Sequence, residues 1–412
     1  MSPRWLILAD DLTGAADCAI AFAKQGMDSV VAWGQGTGAD ASVLSVDADS
    51  RRFPAETAAQ RQVAVQNAHW RPGTRLYKKI DSTLRGQPAA ELAVQLAALS
   101  AATGRRRAPL AVVAPAFPAT GRVTLDGKVL VNGQPLEQTP LWARDHTYKC
   151  ADLPLVFASA GLTSAVIPLE VVRQGADALH ARMMDIEAQD LDAVVCDCTE
   201  LADLGVVAEA SLRLDDAVWV GSAGLAVALA HLTAPPVSLV HAVPPRDGGV
   251  LLVVGSLAEA SRLQARSLAD SGLVRHVLVA PEVLFGSAGT PEWLAAQAAL
   301  SQGLDGGGSV LLEIALASHP DLARGAELAS RLALLVEQVA PKLGALAATG
   351  GDTACALLAR LGIHGIRLID EVEPGVPLGL TQGRHCFPVV TKAGAFGDAG
   401  TLWRCLERLK SL

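Results

Sequence analysis

Residues 5–14 read WLILADDLTG, an apolar run that ends in two carboxylates and a glycine turn. The apolar run predicts a buried strand, and the polar turn after it predicts the start of a helix, which we expect from about residue 15 to residue 24. The same alternation recurs, with apolar runs at residues 30–33, 110–114, 193–195, 217–220 and 250–254. Strands that alternate with helices predict an α/β fold with parallel sheets covered on both faces.

A change of composition near residues 235–249 divides the chain. That segment is rich in Pro, Gly and His and poor in helix formers, and the strand–turn–helix pattern restarts after it. A chain of 412 residues is also long for a single domain. We therefore predict two domains, residues 1–240 and 248–412, each with a largely parallel sheet flanked by helices.

The composition excludes several classes of protein. Half of the residues are hydrophobic and the net charge is −8, which favours a large core and argues against a nucleic-acid partner. The seven cysteines show no regular spacing, as expected in a reducing cytoplasm. The longest charge-free run, residues 217–245, is broken by glycines and a Pro-Pro pair, so we expect no membrane span.

Residues 78–86 read KKIDSTLRG and concentrate three cations, a carboxylate and two hydroxyls. Arginine supplies a rigid fork for a carboxylate or phosphate, and lysine a compact charge. The segment predicts a pocket for a small, anionic, hydroxylated ligand, although a solvated loop has the same composition. Asp10 and Asp11 follow the first strand, so one can cap the helix while the other binds substrate hydroxyls or a cation.

Two glycine-rich turns in the second half of the chain each follow an apolar run and precede a helix. Residues 348–354 read ATGGDTA, and residues 392–398 read KAGAFGD. Such a turn at a helix N-terminus presents free N–H groups to an anion. Together the turns indicate a nucleotide, while each alone could be an ordinary connection. Residues 121–128 mimic a P-loop but have one residue too many between the glycines.

Motifs in a fixed order along nearly the whole chain resemble the four-carbon acid sugar kinase family. They are residues 9–15, 78–86, 115–118, 121–127, 221–225, 349–354, 373–377 and 392–394. The resemblance implies a kinase that uses ATP and Mg²⁺ to phosphorylate D-threonate, D-erythronate or an oxo-tetronate. It also implies an N-terminal acid-sugar-binding domain, a C-terminal nucleotide-binding domain, and an active site in the cleft between them.

The resemblance also assigns residues to the two ligands. The sugar acid is expected to contact Asp10, Asp11, Arg51, Lys79, Asp81, Ser82, Thr83 and Arg85. ATP is expected to contact Ser256, Thr349, Gly350, Gly351, Asp352, Thr353, Gly394 and Gly397. We expect Asp81, Asp11 and Lys79 to take part in catalysis, and Arg51 and Arg85 to clamp the substrate carboxylate. The base stays open between Asp81 and Asp11, and no metal ligand is assigned.

Two other functions stay open at this point. A sugar-acid sensor would keep the cationic segment without turnover, and a different ATP-using transferase or ligase would keep the glycine turns. Ala393 and Ala395 stand where the family usually has polar residues, so we expect backbone groups to provide more of the ATP contacts. The resemblance and the apolar composition favour a homodimer.

Overall fold

The protein is described by a computed structural model that covers residues 5–34, 36, 38, 40–144, 147–235, 243, 247–316 and 324–412. The chain divides into two units, Met1–Leu239 and Val240–Leu412. Most of the segment that we predicted to separate the domains, residues 235–249, lies outside the described residues. Within the described part, no helix combines the length and apolar composition that a membrane crossing needs.

The first unit alternates strands and helices along the chain. Its strands are β1 (Trp5–Ala9), β2 (Ser29–Trp33), β3 (Val43–Asp47), β4 (Arg75–Lys79), β5 (Leu110–Ala114), β6 (Arg122–Leu125), β7 (Lys128–Val131), β8 (Gln134–Pro135), β9 (Ser164–Ile167), β10 (Ala193–Cys196) and β11 (Ala217–Gly221). Its helices are α1 (Leu12–Ala23), α2 (Ala55–His69), α3 (Pro88–Thr103), α4 (Leu153–Ala158), α5 (Leu169–Val172), α6 (Ala176–Ala188), α7 (Leu201–Ser211) and α8 (Ala223–Leu232).

A parallel sheet in the order β2-β3-β1-β4-β11-β5-β10-β9 forms the centre of this unit. After β1 the chain forms β2, returns to place β3 between β2 and β1, and then crosses to β4 on the other edge of β1. The strand order therefore reverses at β1. In open α/β sheets this reversal leaves a crevice beyond the carboxyl ends of the strands, where ligands bind.

Strand β1 separates two hydrophobic cores. Trp5 and Ile7 face one core and Leu6 and Leu8 face the other, and all four side chains are fully buried. This follows from the two-residue period of a strand, which sends alternate side chains to opposite faces. A strand buried on both faces must be apolar throughout, and the sequence of β1 meets that requirement.

Helix α1 begins earlier than we predicted. It starts at Leu12 instead of near residue 15, because Asp11 is its N-cap and accepts the backbone N–H of Gly14 at 2.8 Å. The strands predicted farther along the chain are present as β2, β5, β10 and β11.

A small antiparallel sheet of β6, β7 and β8 was not predicted. Its first turn is formed by Asp126 and Gly127, whose φ angles of +51° and +69° suit a two-residue hairpin. This hairpin is the segment that mimics a P-loop in sequence. It leads into a second strand instead of a helix, so it lacks the helix N-terminus on which a P-loop depends.

The second unit has its own sheet. Its strands are β12 (Gly249–Val254), β13 (Arg275–Val279), β14 (Ser309–Ile314), β15 (Leu343–Thr349), β16 (Ile363–Glu373), β17 (Val376–Gly383) and β18 (Pro388–Lys392). Its helices are α9 (Glu259–Asp270), α10 (Pro281–Phe285), α11 (Pro291–Leu304), α12 (Gly325–Glu337), α13 (Gly351–Arg360) and α14 (Thr401–Lys410).

The strand order here is β13-β14-β12-β15-β18-β17-β16. The first five strands are parallel, and β16 and β17 extend the sheet as an antiparallel hairpin that we did not predict. Strand β12 lies between β14 and β15, so this sheet also reverses its order at its first strand. The prediction of largely parallel sheets flanked by helices is confirmed.

Candidate active site

Polar residues after β1 and β3 meet at the strand-order reversal of the first unit. The guanidinium of Arg51 binds the carboxylate of Asp10 through two hydrogen bonds, with Nε 2.8 Å from Oδ2 and Nη2 2.8 Å from Oδ1. Its Nη1 donates to Oδ2 of Asp11 at 2.5 Å. The backbone fixes this pairing, because the N–H groups of Ser50 and Arg51 both donate to the carbonyl oxygen of Asp10. Arg51 thus joins the segments that follow β1 and β3 through all three of its guanidinium nitrogens.

The turn after β4 adds a third carboxylate, that of Asp81. Its Oδ1 accepts hydrogen bonds from the N–H of Thr83 at 2.8 Å and from the Thr83 hydroxyl at 2.5 Å. Its Oδ2 accepts from Nε and Nη2 of Arg85 at 3.2 and 2.5 Å, and lies 3.5 Å from Nη2 of Arg51. Ser82 is half-buried in the same turn. The structure therefore gathers the predicted acidic and arginine residues into one ion-pair cluster.

The two adjacent lysines of β4 point to opposite faces of the sheet. The buried ammonium of Lys79 donates to the carbonyl oxygen of Ile80 at 2.9 Å and lies beside Gly14, where an added Cβ would be 3.0 Å from Nζ. Lys78 instead forms a fully buried ion pair with Glu91, with Nζ 2.6 Å from Oε2. Lys79 is therefore the lysine on the side of the cluster.

A buried polar network supports the loop that carries Arg51. Oε1 of Glu91 accepts the hydroxyl of Ser50 at 2.6 Å, and the side-chain amide of Gln62 donates to the Ser50 hydroxyl at 2.9 Å and to the Ala9 carbonyl at 3.0 Å. Sequence reasoning missed Glu91 and Gln62. Glu91 stands in a largely apolar part of α3, whereas Gln62 stands among other polar residues of α2 and gave no local signal.

The carboxylates of Asp81 and Asp11 differ in how strongly they hold a proton. Burial would raise the pKa of Asp81, but Arg51 and Arg85 hold that pKa well below its ordinary value. Burial raises the pKa of Asp11, and Arg51 opposes this only in part. A general base must accept a proton at the working pH. Of the two residues left open as the base, Asp11 fits that task better, and Asp81 fits a permanently ionised positioning group.

Asp47, the last residue of β3, is a further buried acid beside this cluster. Burial raises its pKa to about 8, the hydrogen bond from the Asp49 N–H at 2.6 Å opposes that rise, and the charge of Asp11 adds to it. At neutral pH Asp47 is therefore mostly protonated and adds little negative charge to the cluster.

A separate pocket lies at the strand-order reversal of the second unit. It has a volume of about 490 Å³ and lies beyond the carboxyl ends of β12, β14 and β15. Its polar wall contains Ser256, Gly350, Gly351, Asp352 and Thr353. Its apolar wall contains Leu257, Phe285, Ile314 and Leu328. The size and the mixture of walls are typical of a small-molecule site, for which volumes of about 300–1,000 Å³ are usual.

Gly350 shapes the polar wall. Its φ of +94° is a conformation that glycine adopts readily and other residues do not, and α13 begins at the next residue. The first N–H groups of that helix are free of intrahelical partners and carry the positive end of its dipole. The pocket is therefore suited to bind an anionic group of a ligand at this wall.

The other predicted nucleotide residues occupy different places. Gly394 lies against Ser256, since an added Cβ would overlap the Ser256 hydroxyl. Gly397 lies near α14, where an added Cβ would be 2.8 Å from Oε1 of Glu373. The hydroxyl of Thr349 is buried without a hydrogen-bond partner among the described residues. These three residues are not part of the pocket wall.

Lys392 holds the second glycine-rich turn together. Its Nζ donates to the carbonyl oxygens of Ala393 and Phe396, each at 3.0 Å, and the Ser261 hydroxyl donates to the Gly394 carbonyl at 2.6 Å. Burial lowers the pKa of Lys392 to about 8. This lysine therefore stabilises the turn through its carbonyls.

Sequence reasoning missed the apolar wall of the pocket. The guanidinium carbon of Arg324 lies 3.6 Å from the centre of the Phe285 ring. Neither residue belongs to the two glycine-rich turns at residues 348–354 and 392–398, and Phe285 looked like any other apolar helix residue. Only the sheet order brings them to the same pocket as Gly350.

Among the described residues, no group of three or more His, Cys, Asp or Glu side chains is arranged to hold a metal ion. An ion that binds mainly to a substrate's phosphates does not need such a group, because Mg²⁺ commonly uses one or two carboxylates and several waters.

Comparisons with known proteins assign a family to each unit. Residues 5–229 match the family described as a sugar-binding N-terminal domain, and residues 251–402 match the family described as a nucleotide-binding C-terminal domain. The fold and these matches define a two-domain α/β protein with a sugar-binding N-terminal domain and a nucleotide-binding C-terminal domain.

Two individual relatives indicate the family within this class. The chain is 41% identical to the D-threonate kinase of Cupriavidus necator over 98% of each protein. It is 35% identical to the D-threonate kinase of Bordetella bronchiseptica over 98% of this chain and 97% of that one. The chain belongs to the four-carbon acid sugar kinase family.

A solved structure shows the same fold. A protein described as a tRNA synthase from Salmonella typhimurium superimposes with a TM-score of 0.82 at 23% identity, over 98% of this chain and 99% of that chain. At this identity the likeness concerns the fold alone.

Proposed function

We propose that this protein transfers the γ-phosphoryl group of ATP to a hydroxyl group of a four-carbon sugar acid, with D-threonate as the first candidate substrate. The observation that carries the proposal is the ion-pair cluster after β1, β3 and β4, which supplies cations for a carboxylate and carboxylates for hydroxyls. The names of the two relatives above support D-threonate over D-erythronate and the oxo-tetronates.

The residues of the cluster have different roles in binding the acid. Arg51 is engaged by Asp10 and Asp11, so its first role is to hold those carboxylates in position. Arg85 is 43% exposed and uses only one edge of its guanidinium on Asp81, which leaves Nη1 for the substrate. Asp11 would accept a hydrogen bond from the attacking hydroxyl, and Lys79 would offset the negative charge that approaches it.

The pocket of the second unit fits ATP. The first turn of α13 at Gly350 and Gly351 would bind phosphate oxygens through backbone N–H groups. The apolar wall with Phe285 and Leu328 would pack against the adenine ring. Asp352 in the wall offers a carboxylate of the kind that Mg²⁺ prefers. When bound, Mg²⁺ supplies neutralisation of the phosphate charge.

The reaction needs little covalent help from the protein. A bond forms between the hydroxyl oxygen and the γ-phosphorus, while the bond from that phosphorus to the bridging oxygen of ADP breaks. The hydroxyl proton passes to Asp11, whose raised pKa suits this acceptance. Positioning and charge neutralisation provide most of the acceleration.

An ADP-release assay with a panel of four-carbon acids tests the proposal. The panel contains D-threonate, D-erythronate, 3-oxo-tetronate and 2-oxo-tetronate, with the uncharged polyol D-threitol as a matched control. We expect ADP release to depend on an acid and to be fastest with D-threonate. Binding of an acid without ADP release would favour a sensor, and ADP release that needs none of these acids would favour another transferase.

The assembly state and the location of the protein stay predictions. Light scattering of the purified protein would distinguish the expected homodimer from a monomer.

A further inference from the structure

Arg122, the first residue of β6, has a buried Nε without a hydrogen-bond partner among the described residues. It makes no hydrogen bond or ion pair with the part of the chain that the structure describes, and its Nε is fully buried. Buried polar groups in proteins are nearly always paired, and an unpaired charged donor costs more than a neutral one. An arginine left in this condition points to a ligand.

Backbone contacts fix the position of Arg122. The Phe117 N–H donates to the Arg122 carbonyl oxygen at 2.8 Å, and Gly121, at a φ of +71°, makes the turn between them. The Asn132 N–H donates to the Gly121 carbonyl oxygen at 2.8 Å, which ties this turn to the end of β7. Arg122 therefore extends from a braced hairpin, not from a loose loop.

The hairpin starts at the same edge of the sheet as the ion-pair cluster. The segment after β5 is tied to the end of β11, because the Ser222 hydroxyl donates to the Ala116 carbonyl oxygen at 3.0 Å. The end of β11 is in turn tied to the end of β4, because the Ile80 N–H donates to the Gly221 carbonyl oxygen at 2.9 Å. Strands β4, β11 and β5 are neighbours, so these contacts connect the base of the hairpin to the Asp81 turn.

The Arg122 guanidinium lies within electrostatic range of this turn. Burial lowers the pKa of Arg122, and the charges of Asp81 and Asp17 oppose that effect while Arg85 adds to it. Neither acid forms an ion pair or hydrogen bond with Arg122. The guanidinium is therefore near the cluster but outside its internal pairs.

The charge balance of the cluster shows what Arg122 adds. The groups that face each other are the carboxylates of Asp10, Asp11 and Asp81 and the cations of Arg51, Arg85 and Lys79. These six charges balance. Arg122 adds a further positive charge that Asp81 and Asp17 influence from a distance, and it forms no ion pair among the described residues. A sugar monocarboxylate brings the opposite charge, and its planar carboxylate matches the guanidinium fork.

We propose that Arg122 binds the carboxylate of the sugar acid, together with the Nη1 nitrogen of Arg85. This inference rests on the proposed function and deepens it, because it names the group that selects an acid over a neutral sugar. The carboxylate is thereby held at one end of the cluster, and Asp11 and Lys79 are left to the hydroxyl and the phosphoryl group.

The test compares Arg122→Gln with the wild type and with Arg105→Gln, a control at an exposed ion pair with Asp216. We expect Arg122→Gln to raise KM for D-threonate by about 10- to 100-fold, as removal of a charged hydrogen bond does. The values of kcat and of KM for ATP should stay within about threefold of wild type, since the lost contact serves substrate binding. Arg105→Gln should leave all three values unchanged.

Two further measurements separate binding from structure. The preference for D-threonate over D-threitol, as a ratio of affinities from calorimetric titration, should fall in Arg122→Gln by the factor by which KM for the acid rises. Arg122→Lys keeps the charge without the fork, so its KM should lie between those of the wild type and Arg122→Gln. An equal loss with acid and polyol, or an Arg122→Lys variant as impaired as the glutamine variant, would indicate a structural role and overturn the inference.

Other outcomes also test the inference that Arg122 binds the carboxylate. An unchanged KM for D-threonate in Arg122→Gln refutes it, as does a lower kcat at an unchanged KM, which would assign Arg122 to the phosphoryl group. If the wild type releases no ADP with any four-carbon acid, the proposed function fails. Calorimetric titration with D-threonate then tests Arg122 separately, and equal affinities of wild type and Arg122→Gln would refute this inference also.

Discussion

The two sites occupy equivalent places in their sheets but are built from different parts of the chain. In the first unit, the strand-order reversal is filled by charged side chains that pair with one another around Arg51. In the second unit, the reversal holds a pocket whose anion-binding wall is backbone at Gly350 and Gly351. The same topology therefore supports two modes of anion recognition, by side-chain forks and by a helix N-terminus.

This difference determines how each site depends on the rest of the protein. A cluster of buried charges is stable only while every charge keeps its partner, because removal of one leaves the others unpaired. A backbone wall depends on one unusual dihedral angle and tolerates changes in side chains around it. Substitutions should therefore disturb the first site by charge and the second by backbone geometry.

The largest effect should follow removal of the central guanidinium of the first site. Arg51→Ala leaves buried Asp10 and its neighbours without their shared partner, so we expect the free energy of unfolding to fall by about 3 kcal/mol. Urea denaturation measures this loss. Turnover should fall by at least about 100-fold, since the cluster loses its geometry.

The matched control is Arg52→Ala, one residue along the chain. Arg52 is 54% exposed and lies 3.2 Å from the partly exposed Asp49, so its loss should cost less than about 1 kcal/mol. Equal stability of the two variants would refute the idea that the first site is a charge-coupled unit.

A smaller effect should follow a change in backbone geometry at the second site. Gly350→Ala forces an L-residue to a φ of +94°, at a cost of about 1–2 kcal/mol, and displaces the N–H groups of the turn. We expect KM for ATP to rise by about tenfold, as loss of a charge-assisted hydrogen bond would cause. The KM for the sugar acid should not change.

Gly362→Ala serves as the control because Gly362 also has a positive φ, +69°, and is not part of the pocket wall. Its stability loss should be similar, without an effect on KM for ATP. If both variants raised that KM alike, the effect of Gly350 would be a general consequence of destabilisation.

The last effect concerns pH and is distributed over several pH units. The folded-state pKa of Asp47 is about 8, above the ordinary value of 3.8 that applies when the chain unfolds. Between these values the unfolded chain has lost the proton and the folded chain keeps it, so this residue lowers stability as pH rises from about 4 to about 8.

Asp47→Asn removes the titrating group but keeps an oxygen that can accept the Asp49 N–H. The melting temperature, measured from pH 5 to pH 8, should therefore fall less steeply in the variant. The slopes of the free energy of unfolding against pH should differ between wild type and variant by at most about 1.4 kcal/mol per pH unit, the limit for one proton. Parallel pH profiles for wild type and variant would show that Asp47 is ionised in the folded protein.

Much of both sites could be predicted because their residues stand next to strand ends in the sequence. Asp10 and Asp11 follow an apolar run, and parallel strands bring such ends to one edge of a sheet. Asp81 stands in the charged segment 78–86, which was conspicuous by its composition. Glu91, Gln62 and Arg122 carry no comparable local signal. Their positions depend on which helix packs on which strand and on where a hairpin folds back.

The sequence by itself determined the alternation of strands and helices, the polar turns at the strand ends and the family to which the chain belongs. The strands, helices and turns depend on short stretches of sequence, and the family is recognised from the order of the motifs along the chain. Only the tertiary structure decided that Lys78 is a buried partner of Glu91 while Lys79 lies beside the cluster, and that Phe285 shares a pocket with Gly350. The physical reason is that burial and ion pairing depend on neighbours distant in sequence, which the strand order selects.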